Sequence, residues 1–375
     1  MDIRCKQSSS QQAVKDRQNL IRKLRSHSFD ALCSSHLDLP AMEGQYCENV
    51  VGAVELPVGV VGPIDIDGSH QLTDVIIPLA TSEGALLASV NRGCKACQLS
   101  GGVTCYSYYH GMTRTPVFVT ANLSTALEFQ QWIDQHQQAL AQVAEGTSNH
   151  LQFIKTTTFV RGRFVFVRCY YHTDQAMGMN MATKASQAIA NYCEQHFQSL
   201  KLLSVSSNAC CDKKANAINS LLGRAYEVHA EVTLSSHVLT QVLKTTQGDL
   251  ELLQLCKLQL GSNLAHSPTS NMHVANVLAA FYLATGQDLA HIVEASQAGD
   301  LNCSLHLSSL NLASIGGGTS LPAQQQARLL IADDITPSVL AVVLATACLA
   351  AEISGLSALA NQSLTAAHLK LGRKT

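Results

Sequence analysis

The chain has one tryptophan in 375 residues, and only 14% of it is charged. No G-x-G-x-x-G follows an apolar strand and no Walker sequence occurs, which argues against the common glycine-rich phosphate loops. A net charge of −2 gives no electrostatic case for nucleic acid or an anionic membrane as a partner. The 13 cysteines form no repeated CxxC framework. The one CxxC, Cys94 with Cys97, falls on a helical pattern, so free buried thiols in a reducing cytoplasm are expected rather than disulfides or zinc. The N-terminal residues are polar and predict no signal peptide. The longest apolar run, residues 339–351, stops at Glu352, short of a membrane span. What is there is 46% hydrophobic and rich in small aliphatics, enough for a soluble protein of two or three compact units.

Taken in order, residues 8–27 are polar, with Leu20, Ile21 and Leu24 at helical spacing, and predict a small N-terminal helical unit. Valines, prolines and glycines over 48–63 predict short strands broken by turns. After an apolar strand at 75–79, Thr81 or Ser82 is placed to cap a helix, with Glu83 in its first turn. The helix dipole alone accounts for a carboxylate there. Residues 116–205 read as strand, helix (123–144), strands and helix, an α+β pattern. Residues 271–285 predict a helix, with Val274, Val277, Leu278 and Phe281 at core spacing, that ends at Gly286, a helix C-cap, with Asp288 as a candidate N-cap of the next element. The triplet Gly316-Gly317-Gly318 suits a close backbone approach to a ligand.

The densest chemistry lies at 204–216, Ser-Val-Ser-Ser-Asn-Ala-Cys-Cys-Asp-Lys-Lys-Ala-Asn. Two adjacent ammonium groups beside Ser206, Asn208 and Asp212 suit an anionic ligand or a developing oxyanion. A solvated linker with a lysine pair has the same composition, and spacing alone does not choose between them.

Several stretches occur together in one order: Glu48-Asn-Val-Val-Gly52, Leu56-Pro-Val-Gly-Val-Val-Gly-Pro63, Ala80-Thr-Ser-Glu-Gly84 and Asn91-Arg-Gly-Cys94. Gly111-Met-Thr-Arg114, Met177-Gly-Met-Asn-Met181, Asp212-Lys-Lys214, Gly286-Gln-Asp288 and Gly316-Gly-Gly-Thr319 follow. Together they resemble the 3-hydroxy-3-methylglutaryl-CoA reductases of the biosynthetic class over about residues 45–372. The resemblance implies an α+β fold: a helical N-terminal domain (1–50) and a large domain (51–114 and 216–375) around a central helix. It also implies an inserted ferredoxin-like domain (115–205), with 206–215 as the catalytic connection. It implies reduction of the thioester to mevalonate by two hydrides from NADPH, with NADH as the alternative and no metal, in a cytoplasmic homodimer or higher oligomer. No nucleic-acid or membrane partner is implied. NAD-linked mevalonate oxidation and a catalytically impaired CoA-binding dimer are the competing readings.

By the same resemblance, Lys213 is the oxyanion's counter-charge, Glu83 the proton donor to the aldehyde, and Asp288 the carboxylate linking them. His368 is the acid for the departing CoA thiolate, in the register that puts Ser363 at the family's preceding histidine; the other register puts Arg373 at the catalytic position. Arg114, Ser206, Asp212, Lys214, Lys257, His273 and Asn276 match substrate contacts. Ser89, Asn91, Arg92, Lys95 and Lys244 match the CoA surface. Ser148, Asn149, His150, Gln175, Met177, Gly178, Met179 and Asn180 match the nicotinamide-cofactor segment. Three positions depart from the family: Gln175 replaces an Asp, Asn149 an Arg at the cofactor phosphate, and residues 266–270 a glycine-rich segment.

Overall fold

The structure is a computed structural model that describes residues 11–24, 28–301 and 303–363. The chain divides into two compact units, 1–58 and 59–375. In the first, helix Gln11–Leu24 is held by Arg17, whose guanidinium donates to Glu43 at 2.6 Å and to the Val50 carbonyl at 2.9 Å. Arg17 is buried, and Glu43 also accepts from the Asn49 and Val50 amides, so the buried pair has further hydrogen bonds. Val14, Leu39 and Val50 form the small core around it.

The second unit is built on a ten-stranded sheet. Its strands are β1 (Val58–Gly68), β2 (Leu72–Ala80), β3 (Val103–Arg114), β4 (Val117–Val119) and β5 (Gln152–Arg161). They continue with β6 (Phe164–His172), β7 (Lys201–Ser204), β8 (Ala225–Glu231), β9 (Ala298–Leu301) and β10 (Ser304–Leu310). The main path runs β7-β4-β6-β3-β8-β10-β9. Strand β3 belongs to both halves: residues 104–111 pair antiparallel with β8, and 112–114 pair antiparallel with β6. The changeover falls at Gly111, in a register shift with φ +95, where a Cβ would stand 2.7 Å from Ile154 Cδ1. Glycine is needed there for both backbone and space.

Two hydrophobic clusters follow from this changeover. The larger packs strands and helices around helix Pro337–Ala360, which is buried along almost its whole length. Thr336 caps that helix on the Val339 amide and Pro337 opens it. The sequence expectation ended the apolar run at Glu352, but the helix continues through it. Glu352 is fully buried and accepts from the Met272 and His273 amides at 2.5 and 2.8 Å, at the start of helix Val274–Thr285. Its charge is therefore paid by another helix's orphan donors. The helix is long and apolar enough to cross a membrane, yet its most apolar stretch lies wholly inside the protein. Helix Leu86–Gln98 packs on it so closely that a Cβ on Gly93 would stand 1.9 Å from the Ala350 carbonyl.

The smaller cluster takes in Phe118, Phe129, Ile133, Val165, Val167, Ile189 and Cys193. Along the chain its elements run β4, helices Leu123–Gln135 and Gln137–Glu145, β5, β6, helix Met179–His196, β7. In space the strands stand β7-β4-β6-β5, all antiparallel where paired. The helix expected over 123–144 is two, because His136 leaves helical geometry (φ −108, ψ 18) and its ring Nδ1 donates to the Trp132 carbonyl.

Candidate functional site

The 204–216 stretch is a loop held from below by buried cations. Arg168 donates to the Ala209 carbonyl and to Asn219, and Thr113 donates to the Cys210 carbonyl. Asn208, Cys211 and Lys213 all have left-handed backbones, with φ of 63, 59 and 58. Such conformations are costly for residues with side chains and persist where surrounding bonds over-determine them. Here the Lys213 amide donates to Glu294 and the Asn216 amide to Gln297, at 3.1 and 2.7 Å. The backbone is thus fixed while the Lys213 and Lys214 side chains stay exposed.

Lys213 Nζ stands 2.7 Å from Asp288 Oδ2, and Asp288 also accepts from the Ala290 amide. Burial pushes the Asp288 carboxyl up, but the Lys213 ammonium, the Ala290 amide and His291 outweigh it, and it lies below the ordinary range. Asp288 is therefore an ionised partner at neutral pH and not a proton store. It caps the short turn Leu289–His291, as the sequence expectation of an N-cap had it. Capping and ion pairing use the same carboxylate.

Beneath the pair lies a buried network that the sequence reading passed over. Arg224, fully buried, donates to Glu294 and Asn311 at 2.8 Å, to Asp212 at 3.0 Å and to Thr113 at 3.0 Å. His291, also fully buried, bonds Glu294 through Nδ1 at 2.7 Å and turns Nε2 toward Asp288 Oδ2 at 3.6 Å. The spacing Asp288, His291, Glu294, three residues apart each time, was the available signal: it places ionisable groups on one helical face. Nothing local marked Arg224 as their cation.

Arg114 donates to Ser206 at 3.1 Å and to Thr183, and reaches Asp212 at 3.8 Å, so these three expected substrate contacts do meet. Lys214 donates to the Asp212 carbonyl. Glu83 is exposed, and Asn276 Nδ2 lies 3.5 Å from its Oε1, a long contact. The expectation of Glu83 in a helical first turn is corrected: helix Leu86–Gln98 begins after Ala85, whose left-handed backbone (φ 77) ends the preceding turn. The Glu83 amide donates instead to Thr81 Oγ1. Among the described residues no hydrogen bond or ion pair joins Glu83 to Lys213 or Asp288. His273 is bonded to the buried Glu352. Lys257 is exposed on the π-helical segment Gln254–Gly261 and touches none of these groups by hydrogen bond or ion pair.

On helix Leu86–Gln98, Asn91 and Lys95 are exposed, while Ser89 and Arg92 bond Ser354 of the central helix at 3.1 and 3.0 Å. Lys244 follows the segment Leu239–Leu243 with a left-handed backbone, its carbonyl held by Asn361. His368 lies outside the described residues.

Asp288 also lines a cavity of about 560 Å³ with Met177, Gly178, Met179, Asn180 and residues 316–319. Gly178 (φ 83) opens helix Met179–His196 without a side-chain cap, leaving its first amides as donors. Gly316 and Gly317 have open space where a Cβ would lie. Gln175 bonds Ser314 at the same end, and Ser148 lies 3.5 Å from Met181 Sδ. Asn149 and His150 are exposed beyond it, with His150 3.8 Å from Asp174.

The solved structures that share this fold include the class II 3-hydroxy-3-methylglutaryl-CoA reductase of Streptococcus pneumoniae bound to NADPH. That structure aligns at TM-score 0.70 and 19% identity, over 92% of this chain and 96% of that one. The 3-hydroxy-3-methylglutaryl-coenzyme A reductase of Aeropyrum pernix is 39% identical, over 97% of this chain and 90% of its own. The Haloferax volcanii reductase is 40% identical, over 96% and 93%. The family profile described as hydroxymethylglutaryl-coenzyme A reductase matches residues 13–373, and the chain belongs to that family.

Proposed function

We propose that this chain reduces 3-hydroxy-3-methylglutaryl-CoA to mevalonate and CoA with a reduced nicotinamide cofactor, NADPH in first place, as a cytoplasmic homodimer or higher oligomer. The observation that carries the reading is the Lys213–Asp288 pair at 2.7 Å, with Asp288 in the wall of the cavity formed by 177–180 and 316–319. The cavity falls in the size range of cofactor sites, about 300–1,000 Å³. Its uncapped helix start and open glycines suit a phosphate-bearing group approaching backbone. Residues 148–150 and 175–180 would hold that cofactor, which when bound supplies the two hydrides. The order of residues 115–205, a β-α-β-β-α-β sequence with its first helix split in two, supports an inserted ferredoxin-like cofactor domain. Residues 1–50 are read as the helical domain, 51–114 with 216–375 as the large one, and 206–215 as the loop between.

The protein's own part is electrostatic and acid–base. The Lys213 ammonium opposes the charge that develops on the thioester oxygen, and Asp288 holds that ammonium in place. Asp288 stays ionised, and by the family resemblance Glu83 supplies the proton for the new alcohol and His368 that for the CoA thiolate. Arg114, Ser206, Asp212, Lys214, Lys257, His273 and Asn276 hold the acyl group, and Ser89, Asn91, Arg92, Lys95 and Lys244 the CoA. The test follows NADPH and NADH oxidation separately by absorbance with the CoA thioester as acceptor. Thioester-dependent oxidation of at least one cofactor is expected. No turnover with either, from folded protein, overturns the reading.

A further inference from the structure

Away from that cavity, one exposed patch of sheet collects three imidazoles around one carboxylate. Glu227 and His229 are two apart on β8 and so share a face. His306 on β10 stands directly opposite His229 in the ladder, and His110 comes from β3, on the other side of β8. The His229 and His306 rings stack at 4.5 Å between centroids and 12° between planes. Both turn Nε2 to the same oxygen, Glu227 Oε1, at 3.2 and 2.8 Å. His110 Nε2 takes the other oxygen, Oε2.

Two ring nitrogens and a carboxylate oxygen thus converge on one point of the sheet, and a carboxylate oxygen has lone pairs enough to receive both. In the other neutral tautomer the same two nitrogens present lone pairs, and with the carboxylate they make a donor set for a metal ion. The distances suit one. Metal–nitrogen bonds of about 2.0–2.1 Å and metal–oxygen bonds of about 2.0–2.2 Å put tetrahedral ligand atoms roughly 3.4 Å apart. The donor atoms of Glu227, His229 and His306 all lie within 4.8 Å of one another. His229 and His306 also line an open cavity of about 630 Å³, which leaves water or a small ligand room at further positions. A second group with metal-ligating residue types, Asp212 with His291 and Glu294, differs decisively: the Arg224 guanidinium already supplies its cation.

We propose that Glu227, His229 and His306 form a binding site for a divalent transition-metal ion of the zinc type, joined to the Lys213–Asp288 pair by no hydrogen bond or ion pair among the described residues. Two imidazoles and one carboxylate select such ions over magnesium or calcium, which prefer all-oxygen sets. His110 acts as an outer partner, fixing the carboxylate through its second oxygen. The site is independent of the reductase reading and clips β8 to β10.

The test is a cobalt(II) titration of the full chain, followed by visible absorption, with zinc then added as competitor. The wild-type protein is expected to take up one ion per chain with the intense visible bands of a low-coordinate nitrogen–oxygen site, and zinc to bleach them. His229→Ala and His306→Ala, each checked for folding by circular dichroism, are expected to weaken binding at least about tenfold, since loss of even an outer-shell partner costs about that much. Glu227→Gln is expected to do the same with its shape preserved. Failure of the wild type to bind, affinity unchanged in the two histidine variants, or the near-ultraviolet charge-transfer band of thiolate ligation would each overturn the proposal.

Discussion

Lys213 is an exposed ammonium on a left-handed backbone, fixed by one carboxylate at 2.7 Å and by its own amide on Glu294. On the proposed reading, its removal leaves the reaction without its main positive charge. Lys213→Ala is expected to lower kcat by about 100- to 1,000-fold while the circular dichroism spectrum is kept. A folded variant that retained more than roughly a tenth of normal turnover would take the oxyanion role from Lys213, since that loss falls well short of one such donor. At this scale the sequence was informative about residue types and silent about their states. An Asp-Lys-Lys triplet can be read from a printed chain, but the lowered Asp288 carboxyl cannot. Its cause is a lysine 75 positions earlier in the chain, brought within hydrogen-bond reach. The cysteines show the converse. Composition suggested inert buried thiols, and burial does push Cys94, Cys105 and Cys169 up to about 12.

The element that matters most is the loop 204–216, and it is only as rigid as what lies under it. Arg224 joins Glu294, Asn311, Asp212 and Thr113, with both Arg224 and Glu294 side chains fully buried. Replacing one member of such a pair leaves an unpaired buried charge, which typically costs about 3–5 kcal/mol. Arg224→Met should therefore lower the thermal unfolding midpoint by several degrees or more, read by circular dichroism beside wild type. An unchanged midpoint would mean that the network is not what holds the loop. Elements with local signals were legible: Gly286 ends helix Val274–Thr285 with φ 76, as a C-cap glycine should. The start of helix Leu86–Gln98 was not, because Thr81 looks like a cap and Ala85 hides the left-handed turn that delays the helix. Glu352 misled for a different reason. A carboxylate reads as the end of an apolar run until the amides of Met272 and His273 are seen to meet it.

Across the whole second unit, strand β3 passes from one hydrophobic cluster to the other, and segments 175–180 and 313–319 meet beside the cavity. Order along the chain hinted at the α+β pattern of residues 116–205. The shared cavity was beyond reach, since its walls lie more than a hundred residues apart. So was the imidazole patch, where Glu227 and His229 are near neighbours but His306 arrives only through strand pairing. The cofactor preference is a property of this larger arrangement. Asn149 is exposed just after helix Gln137–Glu145, next to Ser148, whose hydroxyl lies 3.5 Å from Met181 Sδ. An amide at that position offers a phosphate no charge, whereas a guanidinium offers a charged, two-pronged donor. One charge-assisted bond adds about 1.5–3 kcal/mol, so Asn149→Arg should raise the ratio of kcat/KM for NADPH over NADH by roughly ten- to a hundredfold. The change should fall on KM for NADPH, because a contact to a remote phosphate is made equally in the ground and transition states. Steady-state kinetics with each cofactor at saturating thioester separate the two effects. A ratio that stays at the wild-type value would place the recognition of the 2′-phosphate away from residue 149, and a fall in kcat with both cofactors would show that the loop instead shapes the cavity.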